Sequence, residues 1–226
     1  RPRFPSASAA ASLVPSQQEV TMNIAVLGTG QVGSAIAGKL KALGHEVVLG
    51  SRDPDGAKAR ELAATTGIAV LRYAEAAAGA DWLVNALPGE HAVDILRACA
   101  PGDRILVDIG NYDHAVDQPI VEPLGELIQR SFPDLRLVKT LNSVSAHLMV
   151  DPASLPPGHT VFVAGNDEAA KAEVTALLRS FGWQDIVDLG DLSASRAMEQ
   201  LIPLWMRLEE KLGGPDFQLS VIRRSR

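Results

Sequence analysis

Residues 23–33 read NIAVLGTGQVG, and the helix-like run Val32–Leu43 follows them up to Gly44. Asn23–Gly28 is a short apolar segment of strand character, and Val32–Leu43 repeats its apolar residues at helical spacing. Between them Gly28, Thr29, Gly30, Gln31, Val32 and Gly33 form a GxGxxG spacing. That spacing has a physical use when it joins a strand to a helix. Gly28 permits the tight turn, Gly30 lets the backbone approach an anion with no Cβ in the way, and Gly33 lets the helix pack closely. Free N–H groups and the positive end of the helix dipole then face a pyrophosphate. The stretch predicts a dinucleotide cradle.

Working outward, the same alternation continues. Strands are predicted at Glu46–Gly50, Ile68–Leu71, Trp82–Leu87, Arg104–Ile109, Leu135–Leu141, Thr160–Ala164 and Asp185–Leu189. Helices are predicted at Pro54–Thr66, Tyr73–Ala78, Glu90–Cys99, Glu122–Ser131 and Glu168–Ser180. A last long one is predicted from Ser193 to Leu212, kinked at Pro203. The strands are near-continuous apolar runs, as expected when both sheet faces are covered. The fold class is therefore α/β: a Rossmann-like, doubly wound, mainly parallel sheet with a C-terminal helical extension. Residues 22–214 form the domain and 215–226 a tail. Residues 1–21, rich in Ser, Ala and Pro, read as a disordered leader: an appended segment ahead of Met22, or a transit-type peptide.

The tip of the second strand selects the cofactor. An NAD site places Asp or Glu about 20 residues beyond the glycines. Here the strand ends in Gly50-Ser51-Arg52. Ser51 can donate to a 2′-phosphate, and Arg52 can offer a charged fork and stack on adenine. Asp53 reads instead as part of the next helix start. NADP(H) is expected over NAD(H).

Other strand ends supply the remaining candidates, because ligands of open parallel sheets lie beyond the carboxyl ends. These are Asn85-Ala86-Leu87-Pro88 with His91 behind it, Asp108-Ile109-Gly110-Asn111, and Lys139-Thr140-Leu141-Asn142 followed by Ser143, Ser145 and His147. Asp167 reads as a helix N-cap. His91 and His147 are candidate proton donors, although no acid/base pair stands out. Hydride transfer between stacked rings relies on proximity and orientation rather than on a proton shuttle. There is no GxSxG elbow, and His91, His114, His147 and His159 are too scattered to hold a metal. Ile202, Leu204, Trp205, Met206 and Leu208 read as core or as a subunit interface.

Composition bounds the function further. The chain has 226 residues, of which 46% are hydrophobic and 21% charged, enough apolar content for a real core. Its net charge of -6 argues against a nucleic-acid partner, and no apolar run reaches membrane-spanning length. Arg223, Arg224 and Arg226 read as a frayed end. The single cysteine, Cys99, excludes an intrachain disulfide and suits a reducing cytoplasm.

The segments GTGQVGSAIAGKL, LGHEVVLGSRDP and NALPGEHAVDIL resemble the NADPH-dependent reductases of the deazaflavin coenzyme, the F-420-dependent NADP oxidoreductases. LVKTLNSVSAH is similar to the matching segment in the oxidoreductase domains of the six-transmembrane metalloreductases. The resemblance implies hydride transfer between NADP(H) and a deazaflavin (coenzyme F-420) or a flavin such as FMN or FAD, in a homodimer acting on a small-molecule redox acceptor. It places the phosphate loop on Gly28, Thr29, Gly30, Gln31 and Val32, the 2′-phosphate pair on Ser51 and Arg52, and the nicotinamide side on Asn85, Leu87, Pro88 and His91. Asn142 stands in the adjoining wall, where TLNSVSAH departs from the archaeal deazaflavin reductases; acceptor identity should depend on that wall. Two other readings stand beside this one. One is reduction of a small carbonyl or imine, with His91 or His147 as proton donor. The other is an NADPH-binding sensor without chemistry.

Overall fold

The strands that open the chain are apolar on both faces, so they belong inside a sheet with helices above and below. The computed structural model describes residues 21–113 and 121–224; His114, Arg226 and the leader up to residue 20 lie outside it. In chain order it has β1 (Asn23–Leu27), α1 (Gln31–Ala42), β2 (Glu46–Ser51), α2 (Ala57–Thr66), β3 (Ala69–Arg72) and α3 (Tyr73–Ala78). Then follow β4 (Trp82–Asn85), α4 (Gly89–Cys99), β5 (Ile105–Asp108), α5 (Leu124–Ser131), β6 (Arg136–Thr140) and α6 (Ala146–Val150). The chain continues through β7 (Thr160–Gly165), α7 (Glu168–Phe181), β8 (Asp185–Asp188), α8 (Ser195–Glu199) and α9 (Ile202–Leu212).

The strands form one sheet in the order β3-β2-β1-β4-β5-β6-β7-β8. The chain leaves β1 toward β3 and returns to β4, so the strand order reverses between β1 and β4, where open α/β sheets bind ligands. Two cores cover the sheet. One holds Ile36 and Leu40 of α1, Leu148 of α6 and Val174 and Phe181 of α7. The other holds Ala76 of α3, Leu96 of α4 and Leu124 and Ile128 of α5. Leu40 and Leu96 are fully buried, and each such side chain contributes roughly 1.5–3 kcal/mol.

Three elements differ from the sequence reading. β7 runs antiparallel to β6, with Val138 opposite Gly165 and Thr140 opposite Val163. The segment after β6 makes the short α6, five residues long and so without a periodic signal, and re-enters the sheet at the edge it left. The expected long C-terminal helix is instead α8 and α9, separated at Gln200–Leu201. Pro203 is in the first turn of α9, where its missing N–H costs nothing, so it starts a helix rather than kinking one. Finally, helix α2 starts at Ala57 rather than Pro54, after a turn closed by Gly56 N–H donating to the Asp53 carbonyl.

Residues 215–223 are tied down on the domain. Thr160 N–H donates to the Leu219 carbonyl at 2.8 Å, and Gln218 Nε2 to the Thr160 carbonyl at 2.9 Å. Ser145 Oγ donates to the Pro215 carbonyl at 2.5 Å, Phe217 stacks on Trp205, and Arg223 pairs with Asp185.

Two solution properties follow. Asp167 caps α7 by accepting from the Ala170 N–H at 2.9 Å and also pairs with Arg136 at 2.7 Å. Arg136 first, then that N–H, hold its carboxyl at about 2, below the ordinary 3.8. A depressed carboxyl stabilises the fold fully above its unfolded pKa and loses that contribution as pH falls through the folded one. Acid unfolding of the wild type should therefore carry a component between about pH 4 and 2 that Asp167→Asn removes. Cys99 is buried, and burial pushes its thiol up to about 11. A disulfide-type thiol reagent at pH 8 is expected to leave the folded protein unmodified and to titrate the thiol only after denaturation.

Candidate functional site

The sheet register sets Gly50, Leu27, Asn85, Asp108 and Lys139 side by side across β2, β1, β4, β5 and β6. Beyond the first three of these tips lies a cleft of about 770 Å³. Thr29 of the glycine loop, Ser51 and Arg52 of the β2 tip, and Leu87, Pro88 and His91 of the β4 loop all line it. The glycine loop, the β2 tip and the β4 loop, singled out separately in the sequence, are thus brought to one cavity.

The glycine loop is built for close approach. Gly28 has φ +125°, and a Cβ there would come 2.5 Å from the Ala86 carbonyl oxygen. A Cβ on Gly33 would come 2.1 Å from the Gly28 carbonyl oxygen, so α1 meets the turn with no room for a side chain. Around Gly30 there is nothing within 4 Å of a built Cβ. Among the described residues no side chain caps the start of α1. Its first-turn N–H groups, which have no intrahelical partner, are open to an anion. The cradle fits a pyrophosphate.

At the β2 tip, Ser51 is buried and its Oγ accepts from the Asp53 N–H at 3.1 Å, which leaves the hydroxyl hydrogen for another acceptor. Arg52 is exposed at the cleft. The Asp53 carboxylate folds over Gly56, at the entry to α2.

Three candidates have other partners. Asn85 is fully buried: its Nδ2 donates to Asp108 Oδ1 at 2.7 Å and its Oδ1 accepts from the Leu87 N–H at 3.2 Å. It shapes the loop from beneath instead of facing the cleft. Asn142 donates to the Met198 carbonyl at 2.9 Å and to Asn111 Oδ1 at 3.0 Å, and its own carbonyl accepts from Asn111 Nδ2 at 2.8 Å. It stitches the β6 tip to α8 and lies outside the cleft lining. His147 sits on α6, which packs on α1, and its Nε2 meets Asp216 Oδ1 at 2.7 Å. Of the described histidines only His91 lines the cleft.

A family model described as "NADP oxidoreductase coenzyme F420-dependent" matches residues 23–112. A crystal structure of a candidate F420-dependent NADP-reductase from Arthrobacter sp. FB24 is 44% identical, with a TM-score of 0.84 over 89% of this chain and 100% of that one. The chain belongs to the F420-dependent NADP oxidoreductase family. The F420-dependent NADP reductase of Methanocaldococcus jannaschii is 27% identical over 210 residues, covering 84% of this chain and 93% of that protein. Human metalloreductase STEAP2 is 30% identical over 183 residues; the match covers 80% of this chain but only 36% of that protein. As a member of this family the protein is an NADP-dependent oxidoreductase.

In this family member the cleft also has walls that the sequence reading left out. Lys58, in the first turn of α2, lines it beside Arg52. The Asp53 carboxylate, folded over Gly56 at the same helix start, offsets a cation at this positive helix end. Tyr73, directly after β3, closes the same side, and burial raises its phenol above the ordinary value. Among the described residues no helix is long and apolar enough to cross a membrane. No group of three His, Cys, Asp or Glu side chains among them is placed to hold a metal.

Proposed function

We propose that this protein passes a hydride between NADP(H) and a deazaflavin of the coenzyme F420 type, with the dinucleotide lying along the strand tips. The observation that carries this reading is the single cleft shared by Thr29, Ser51, Arg52, Leu87, Pro88 and His91. Arg52, Ser51 and Lys58 hold the 2′-phosphate. The open α1 N-terminus and the backbone from Gly28 to Val32 hold the pyrophosphate. Leu87 and Pro88 present an apolar face to the nicotinamide and keep water from it. When bound, the cofactor supplies the hydride; the protein's part is to orient the two rings, with His91 at the rim.

The F420-dependent reductase of M. jannaschii, which matches over most of both chains, supports a deazaflavin as acceptor over FMN or FAD. The test is a stopped-flow record of NADPH oxidation against coenzyme F420, FMN and FAD. Turnover with F420 well above both flavins is expected. Flavin-free oxidation with a carbonyl or imine compound, abolished by His91→Ala, would replace the reading. NADPH binding with no oxidation in any arm would favour a sensor.

A homodimer through α9 belongs to the same proposal. Leu204 and Leu212 on that helix are 51% and 64% exposed, and among the described residues none on α9 is fully buried. Of the stripe read as core or interface, Leu204 is therefore open in one chain, and Ile202, Trp205, Met206 and Leu208 are half-buried. Light scattering on the unaltered protein and on Leu204→Glu, expected to be dimer and monomer, tests it. The buried reduced thiol agrees with a cytoplasmic setting.

A further inference from the structure

Three side chains of opposite formal charge lie inside the second core: Lys139 and Asp108 at 0% exposure, and Glu199 at 1%. Such a set stabilises a fold little, since well-packed apolar replacements are often neutral or favourable. Its geometry points to another use. Lys139 Nζ donates to Asp108 Oδ2 at 3.0 Å and to the Gly110 carbonyl at 2.5 Å, and meets Glu199 Oε1 at 3.1 Å. All three ammonium hydrogens have acceptors. Burial alone would lower this ammonium's pKa, but the two carboxylates outweigh burial and hold it above the ordinary value. Glu199 also accepts from the Leu124 and Gly125 N–H groups at the start of α5, at 2.8 and 3.0 Å.

The opposite end of the set reaches the underside of the loop that lines the cleft. Asp108 Oδ1 accepts from Asn85 Nδ2 at 2.7 Å and from the Gly110 N–H at 3.1 Å. A carboxylate offers acceptors only, so the Asn85 amide must turn its NH2 toward Asp108. Its carbonyl oxygen is thereby aimed at the Leu87 N–H, 3.2 Å away. The intervening residue, Ala86, rests against the Gly28 turn.

We propose that these contacts form a positioning relay, from Glu199 through Lys139, Asp108 and Asn85 to the Leu87 N–H, that fixes the loop against which the nicotinamide lies. The inference rests on the dinucleotide reading above. Asp108 and Lys139 are positioning residues, because they act on the loop through Asn85. The relay also couples α8, at the start of the C-terminal extension, to the geometry of hydride transfer.

Asp108→Asn tests the relay with little change in volume. An amide NH2 facing the Lys139 ammonium would set donor against donor. It turns instead toward Asn85 and the Gly110 N–H, so the Asn85 amide must flip and point its own NH2 at the Leu87 N–H, while the Gly110 N–H loses its acceptor. Two ligands are titrated: NADPH, and adenosine 2′,5′-bisphosphate, which lacks the nicotinamide half. Of the two buried hydrogen bonds lost, the one at the Leu87 N–H acts on the nicotinamide loop, and it is expected to weaken NADPH about tenfold while the bisphosphate stays within about twofold.

The paired exchange, Asp108→Asn with Asn85→Asp, restores a carboxylate that accepts from both position 108 and the Leu87 N–H, and leaves only the Gly110 N–H without its acceptor. It is expected to recover most of the NADPH affinity, which general damage to the core would not allow. If Asp108→Asn does not fold, Asn85→Ala leaves the charges in place and carries the same selective loss. Equal losses for both ligands, no loss, or an exchange no better than the single change overturns the relay. An unaltered protein that binds neither ligand overturns the dinucleotide reading itself, a separate result.

Discussion

Arg52→Ala is expected to weaken NADPH by roughly 10- to 150-fold and NADH far less, since NADH loses only the stacking on adenine. The range is the roughly 1.5–3 kcal/mol of charge-assisted hydrogen bonds that a guanidinium makes to a phosphate. The side chain is exposed at the rim of the cleft, so its removal opens no cavity and breaks no core contact. The melting temperature should therefore stay that of the wild type. Arg52→Lys should fall between the two, because an ammonium keeps the charge but loses the two-pronged geometry. Raising salt should erode the NADPH preference of the wild type more than that of the alanine variant. Calorimetric titration of both cofactors checks each point. Equal losses for NADPH and NADH would remove the 2′-phosphate from this tip.

Gly33→Ala is expected to cost about 3 kcal/mol of stability or to prevent folding, at the upper end of overpacking effects. Alanine in a helix is otherwise favoured over glycine by about 1 kcal/mol, so the penalty appears against that gain. The obstacle is backbone: the new methyl would lie 2.1 Å from the Gly28 carbonyl oxygen. That turn cannot retreat, because Gly28 N–H is bonded to the Gly50 carbonyl at 3.0 Å and its other side abuts Ala86. Gly30→Ala is the control. Its methyl meets nothing within 4 Å, so the protein should melt normally yet lose NADPH, since the methyl occupies the cradle. Chemical denaturation beside a cofactor titration separates the two. A Gly33→Ala protein as stable as the wild type would contradict the packing described for this loop.

What could be read from the chain was local. Asn23–Leu27, the glycines after it and the apolar face of α1 are neighbours in sequence, and their periodicity determines strand, turn and helix together. The place of Ser51 and Arg52 at the cleft is legible because the β2 tip pairs beside the strand that leads into the glycine turn. What could not be read depends on residues far apart in the chain. Glu199 has no sequence signal linking it to Lys139, and only the packing of α8 on α5 brings them together. Asn142 reads as a ligand residue because it follows a strand end, and its amide contacts to Asn111 and Met198 are not legible in the sequence. His147 reads as a candidate proton donor from its place after a strand end, and its partner Asp216, far along the chain, has no sequence signal linking the two. The reversed direction of β7 was hidden for a similar reason, since a buried apolar strand reads the same either way.

The shielded sulfur on α4 has a practical side. A chain whose sole native cysteine, Cys99, resists alkylation when folded can accept one engineered thiol without first being stripped of its own. Asp94, an exposed residue of the same helix on the cleft rim, is a natural place for it. A fluorophore attached there would sit at the mouth of the nucleotide groove and report occupancy by its brightness, letting ligands be ranked before any redox partner is in hand.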